Sequence, residues 1–86
     1  MSEFFSFEAA QALSDACVIT ADKIDVCNGQ MEKRFGELGE YFRDGGYEEY
    51  ALDMTSADKA ISDVVAQLKH VGQTIRKYAE ELKRVQ

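Results

Sequence analysis

Tyr41-Phe42-Arg43-Asp44-Gly45-Gly46-Tyr47-Glu48-Glu49-Tyr50 lies at the middle of an 86-residue chain and holds its one pair of adjacent glycines. Paired glycines after a helical run supply the positive φ that ends a helix, and aspartate suits a tight turn. Residues 43–46 are therefore predicted to form a turn. So short a turn brings the N-terminal arm back alongside the C-terminal one.

The C-terminal arm reads as a helix. From Tyr47 the apolar residues recur in alternating steps of three and four: Tyr47, Tyr50, Met54, Ala57, Ile61, Val64, Leu68, Val71, Ile75, Tyr78, Leu82 and Val85. Such a heptad pattern predicts a helix over about 47–84, with these residues as its seam. Glu48 and Glu49 in its first turn and Lys83 and Arg84 in its last suit the helix dipole. The N-terminal arm is also helical, over about 6–42. Ala10, Cys17, Ile24, Met31 and Leu38 recur every seven residues, with Leu13, Thr20, Cys27, Arg34 and Tyr41 between them. Ser6 is the expected N-cap, its hydroxyl accepting from a backbone N–H of the first turn. Gly29, Gly36 and Gly39 each cost about 1 kcal/mol relative to alanine in a helix interior, which makes this the weaker arm. The fold class expected for residues 1–86 is all-α, a single antiparallel two-helix hairpin.

A chain of this length makes only a marginal core by itself. Apolar or small residues also lie outside both seams: Ala9, Ala12, Ala16, Ile19 and Val26 on the first arm, and Ala51, Val65, Gly72 and Ala79 on the second. These are the expected contacts with a second hairpin, itself or a related chain, giving a four-helix bundle dimer. The formal charge of -6 disfavours nucleic acid and anionic membrane as partners. No apolar run approaches the roughly 20 residues that span a bilayer, so no membrane insertion is expected. The acidic stretch Met1–Ala10 does not look like a Sec signal.

Little here suggests catalysis. The one histidine, His70, falls at an outward position near Cys17 in the expected pairing, but Cys17 faces the seam. Cys17 and Cys27 stand ten residues apart, about 15 Å along one helix, and cannot bridge each other there. Neither joins His70 in a metal site. Asp15, Asp22 and Asp25 have no calcium-loop spacing. The chain is read as a non-enzymatic interaction protein with no cofactor, metal or catalytic residue. Tyr41, Phe42, Tyr47 and Tyr50 cluster about the turn. They either staple the hairpin tip or anchor a protein partner, since aromatic anchors dominate interface energies.

Two near-equal helices about an aromatic–glycine turn, in an acidic chain of this size, resemble the WXG-type, ESAT-like small proteins of type VII secretion. The stretch 41–50 resembles that family's Trp-x-Gly turn, with Phe42 in place of tryptophan and glycine at Gly45, three residues on. The family's C-terminal tyrosine followed four residues later by an acid is not met, because Leu82 follows Tyr78 at that spacing. The resemblance is that of a divergent member, or of the small adaptors that accompany LXG-type toxins. It implies a substrate or co-secreted partner that leaves the cell folded, without a cleaved signal peptide. It also implies that a secretion ATPase reads a surface combining the turn of one protomer (Phe42, Asp44, Gly45, Gly46) with the C-terminal helix of its mate (Tyr78). The competing expectation is a cytoplasmic adaptor or chaperone that covers a partner's amphipathic helix.

Overall fold

A computed structural model describes residues 6–41 and 45–85. It contains two α-helices, α1 (Phe7–Tyr41) and α2 (Gly45–Val85), packed against each other as an antiparallel hairpin. At 1.5 Å per residue, 35 and 41 residues make rods of about 52 and 61 Å, which account for an overall extent of 63 × 16 × 16 Å. α1 begins as the sequence predicts: the Ser6 hydroxyl accepts from the Ala9 N–H at 3.1 Å, and the Ser6 carbonyl accepts from the Ala10 N–H at 3.0 Å. Glu8 in the first turn of α1, Glu48 in that of α2, and Lys83 and Arg84 in the last turn of α2 all complement the helix dipoles.

The turn departs from expectation. Gly45 and Gly46 belong to α2, and no described glycine has positive φ. The left-handed stop expected of this pair is thus not used by them; they open the second helix, where an exposed first turn tolerates glycine. Phe42, Arg43 and Asp44 lie outside the described residues.

The seam also runs along a different line from the one the apolar spacing suggests. The residues buried between the helices are Ser14, Ala21, Asn28 and Gly39 of α1 and Val65, Gly72 and Ala79 of α2, with Phe7, Phe35, Ala51 and Asp58 half-buried at the same heptad phase. Three contacts set the register. The Ser14 hydroxyl donates to the Gly72 carbonyl at 2.6 Å, the Asn28 amide donates to the Asp58 carboxylate at 2.5 Å, and Gly39 lies under the Tyr47 ring. This register sets Ala21 level with Val65 and Phe7 near Ala79. Leu13, Thr20, Cys27, Arg34 and Tyr41, expected inside, are exposed; so are Tyr50, Ala57, Val64, Val71, Tyr78 and Val85. Conversely Val65, Gly72 and Ala79, expected on a flank offered to a second hairpin, are consumed within this one, and Ala51 is half-buried beside them.

The physical reason is steric. Small residues let two backbones approach closely, and only small residues fit once they have. A Cβ on Gly72 would stand 3.0 Å from the Ser14 carbonyl oxygen and 3.3 Å from the Cys17 Cβ. One on Gly39 would fall 2.6 Å from the Tyr47 Cζ, into the ring that stacks on Phe35 with centroids 5.1 Å apart. At Gly29 and Gly36, by contrast, an added methyl group would meet nothing within 4 Å.

The glycines therefore separate into two classes with opposite expected behaviour. Gly36→Ala and Gly29→Ala should each stabilise the protein by about 1 kcal/mol, the ordinary helix-propensity gain. Gly72→Ala should destabilise it by about 1–3 kcal/mol, because overpacking against a backbone carbonyl outweighs that gain. Urea unfolding of the three variants, followed by far-UV circular dichroism, tests the division.

Candidate interaction face

The position of the seam decides what the outside of the hairpin looks like. In an antiparallel pair of right-handed helices, residues four and one before a seam residue fall on the same side of the hairpin in both arms. On that side α1 presents Ala10, Leu13, Cys17, Ile24, Cys27, Met31 and Leu38, and α2 presents Met54, Ile61, Val64, Leu68, Val71, Ile75 and Tyr78. This is one continuous apolar face. The opposite side carries charge: Lys69 pairs with Asp22 at 3.6 Å, and Arg76 pairs with Asp15. These ion pairs tie the two helices together. Each pair is half-exposed and contributes about 0.2–1 kcal/mol at most. At the open end of the hairpin Lys83 sits over the Phe7 ring, 4.3 Å from its centroid.

Large side chains that the sequence pattern assigns to the interior are left on the apolar face. Val64 is 47% exposed, Val71 45%, Leu38 46% and Met31 42%. Among the described residues the buried apolar side chains are only Ala21, Val65 and Ala79, and the largest fully buried side chain is that of Ser14. Among the described residues, depressions mark the face at mid-rod and toward the turn. One, of about 240 Å³, is lined by Lys23, Ile24, Cys27, Asn28, Met31 and Ile61. The next, of about 600 Å³, is lined by Cys27, Gln30, Met31, Arg34, Phe35, Leu38 and Met54. Their aliphatic walls repeat one heptad apart, Ile24 to Met31 to Leu38 on α1 and Ile61 to Met54 on α2.

The residues singled out from the sequence are dispersed. Tyr47 is half-buried within the hairpin, stacked on Phe35, as in the stapling reading of the aromatic cluster. Tyr41 and Tyr50 are 79% and 63% exposed, and Tyr78 is exposed on α2 far along the rod. Ala9, Ala12, Ala16, Ile19 and Val26 are exposed, but their phase turns them toward the back of α1 and away from α2. They do not belong to the broad apolar face. Met31, Leu38, Met54 and Ile61 do, although their spacing alone assigns them to the interior. The signal that points to them is the second, parallel heptad line of small residues: Ser14 and Ala21 on α1, and Ala51, Gly72 and Ala79 on α2.

His70 is exposed and Cys17 packs toward Gly72, so the structure does not bring them together. Both cysteines are free thiols. No group of three or more histidine, cysteine or acidic side chains is placed to hold a metal ion among the described residues. No described helix is long and apolar enough to cross a membrane. Compared with family models, with curated proteins and with solved structures, the chain matches none.

One polar layer interrupts the seam. Asn28 is 4% exposed, and its amide nitrogen donates both to Asp58 on α2 and, at 3.1 Å, to Glu32 one turn along α1. A hydrogen bond to Asp58, reinforced by that carboxylate's charge and by Asp25, holds the Glu32 carboxyl above its ordinary value of 4.5. The same hydrogen bond, together with the one from Asn28, holds Asp58 below its ordinary 3.8. The two directions are those of a Glu32 carboxyl that keeps its proton more readily beside an ionised Asp58. Glu32's contribution is fully present below pH 4.5 and fades as pH rises through its folded value. Asp58's contribution is present above pH 3.8 and fades as pH falls through its own. The melting temperature of the native protein should therefore rise more on acidification from about pH 7 to about pH 4.5 than that of Glu32→Gln. Identical pH profiles for the two proteins would contradict the coupling of Glu32 to Asp58.

Proposed function

We propose that this chain is a non-enzymatic protein–protein interaction module whose working surface is the apolar face of the hairpin. The observation that carries the reading is the mismatch between inside and outside: alanine, glycine and serine make up most of the buried seam, while large valine, leucine and methionine side chains stand exposed on the outer face. A face of this length is what protein partners cover. The partner is another helical hairpin, this chain itself or a related one, and the assembly is a four-helix bundle.

Within that class, the near-equal antiparallel helices and the aromatic–glycine segment 41–50 support a small substrate of type VII secretion. They equally suit the co-secreted partner of an LXG-type toxin. In this reading the turn segment and the exposed Tyr78 form the surface that a secretion ATPase recognises. The second reading, a cytoplasmic adaptor or chaperone for another protein's amphipathic helix, is favoured by one observation: Cys27 is a free thiol exposed on the apolar face, and unpaired exposed thiols suit a reducing compartment.

Partner capture and fractionation test the two levels of this reading. Met31→Glu, which puts a charge into the wall shared by both depressions, should weaken partner capture at least ~30-fold, the loss of about 2 kcal/mol that marks a hot spot. Gln73→Lys, exposed on the charged side, should leave capture within about twofold. Fractionating the native source then separates the two readings. Folded protein in the medium, lost when the secretion ATPase is deleted, supports the secretion reading. Protein confined to the lysate while a known substrate of the same machinery is exported supports the adaptor.

A further inference from the structure

Resting on the reading of the apolar face as the working surface, we infer that its mid-rod depression is a pocket for one indole side chain of a partner of different sequence, held by a hydrogen bond to the Asn28 side-chain carbonyl.

The pocket contains an acceptor that the hairpin leaves unused. Asn28 is 4% exposed, and its amide nitrogen donates to Asp58 at 2.5 Å and to Glu32 at 3.1 Å. Two carboxylates at that nitrogen fix the orientation of the amide, because a carbonyl oxygen in its place would face only other acceptors. Glu32 follows Asn28 by four residues and so lies toward the charged side of the hairpin. The amide group is planar. Its oxygen is therefore turned the other way, to the side where Asn28 helps to line the depression. Among the described residues this Oδ1 is the one buried side-chain nitrogen or oxygen without a hydrogen-bond partner. A buried acceptor of this kind calls for a donor.

The walls decide what can bring one. Ile24, Cys27, Met31 and Ile61 line the depression with Asn28, and Lys23 is the one charged residue among them. A lysine or arginine would shed its hydration against aliphatic walls, beside a cation of like charge. Serine, tyrosine, asparagine and glutamine each carry an acceptor of their own, which apolar walls leave unpaired. An indole has one N–H, no acceptor and a broad apolar body. The Met31 thioether adds a favourable contact with an aromatic ring. A volume of about 240 Å³ falls below the roughly 300–1,000 Å³ of sites that enclose a whole small molecule, so a single side chain is the fitting occupant. This chain has no tryptophan, so the side chain comes from another protein. Tryptophan anchors in desolvated pockets carry much of the energy of protein interfaces.

The test separates the pocket from the face. The isotope-labelled full chain is titrated with indole, N-methylindole and phenol, and nuclear magnetic resonance follows the Asn28 side-chain amide and the Met31 methyl group. Indole should shift both signals. N-methylindole, which keeps the ring and lacks the N–H, should bind at least ~10-fold more weakly, and Met31→Glu should abolish the response to indole. Equal binding of indole and N-methylindole, tighter binding of phenol, or no shift with indole overturns the pocket. A partner captured through the Met31→Glu-sensitive face extends the test. Because this chain has no tryptophan, tryptophan emission reports the partner alone. That emission should move to the blue on binding, and replacing the partner's tryptophan by phenylalanine should weaken binding at least ~10-fold. A partner that lacks tryptophan, a second copy of this chain included, yet binds through the same Met31→Glu-sensitive face overturns the indole occupant and leaves the face as the working surface. A folded chain in which Met31→Glu affects the capture of no partner overturns this inference and the underlying reading together.

Discussion

The close approach of α1 and α2 at Ser14 and Gly72 governs the rest of the structure. The Ser14 hydroxyl donates to the Gly72 carbonyl at 2.6 Å across the helix pair, and the missing side chain of Gly72 is what lets the backbones come so near. Where two helices touch at that distance, the line between them accepts only small side chains at the point of contact. Ala21, Val65 and Ala79 extend the contact along the rod. The larger apolar residues are displaced to one side of the line rather than into it, because no room remains between the axes.

That displacement links stability to function. Burial of apolar surface contributes roughly 25 cal/mol per Å², so a seam made mainly of alanine, glycine and serine supplies little of the driving force a folded domain needs. The side chains able to supply it, Met31, Leu38, Met54, Ile61, Val64 and Val71, lie on the outer face. Ion pairs from Arg76 to Asp15 and from Lys69 to Asp22 hold the opposite side, but half-exposed pairs of this kind add only tenths of a kcal/mol. On the proposed reading, the hairpin is half of a larger core. Covering the face and completing the fold are, in energetic terms, the same event.

The polar layer at Asn28 fits this arrangement as a register device. An asparagine buried between two helices is costly unless its partners meet it, and here Asp58 meets it only in one alignment of the arms. A slip by one heptad would bury the amide against Ala51 or Val65 and leave the Asp58 carboxylate unmatched. The apolar pattern alone does not prevent such a slip, since heptad spacing is preserved by any shift of seven.

Much of this was legible in the sequence. The two helices, their near-equal lengths, the reversal at the middle of the chain and the Ser6 cap all derive from apolar spacing and local chemistry, and the structure agrees with each. The choice of seam was not legible. α2 carries two heptad lines flanking Met54, Ile61, Leu68, Ile75 and Leu82; hydrophobicity selects Tyr50, Val64, Val71 and Tyr78, whereas the structure selects Ala51, Val65, Gly72 and Ala79. Periodicity reports which residues share a helix face and is silent on how near the next helix lies. Distance depends on Gly72 meeting Ser14 and Gly39 meeting Tyr47, which become visible only once the arms are paired. For the same reason apolar spacing misassigns part of the candidate face: it sets Val65, Gly72 and Ala79 outside and Met31, Leu38, Met54 and Ile61 inside. The Gly45–Gly46 pair misleads through conformation, since glycine permits positive φ without requiring it.

Which line forms the seam is the claim on which everything else stands, and isotope-filtered nuclear Overhauser spectroscopy, recorded so that contacts within one chain are separated from contacts between chains, measures it directly. The account predicts strong intrachain contacts from the Gly72 α-protons to the side chains of Ser14, Cys17 and Val18, and none within a chain between Leu13 and Val71. Intrachain Leu13–Val71 contacts with Gly72 remote from α1 would contradict it.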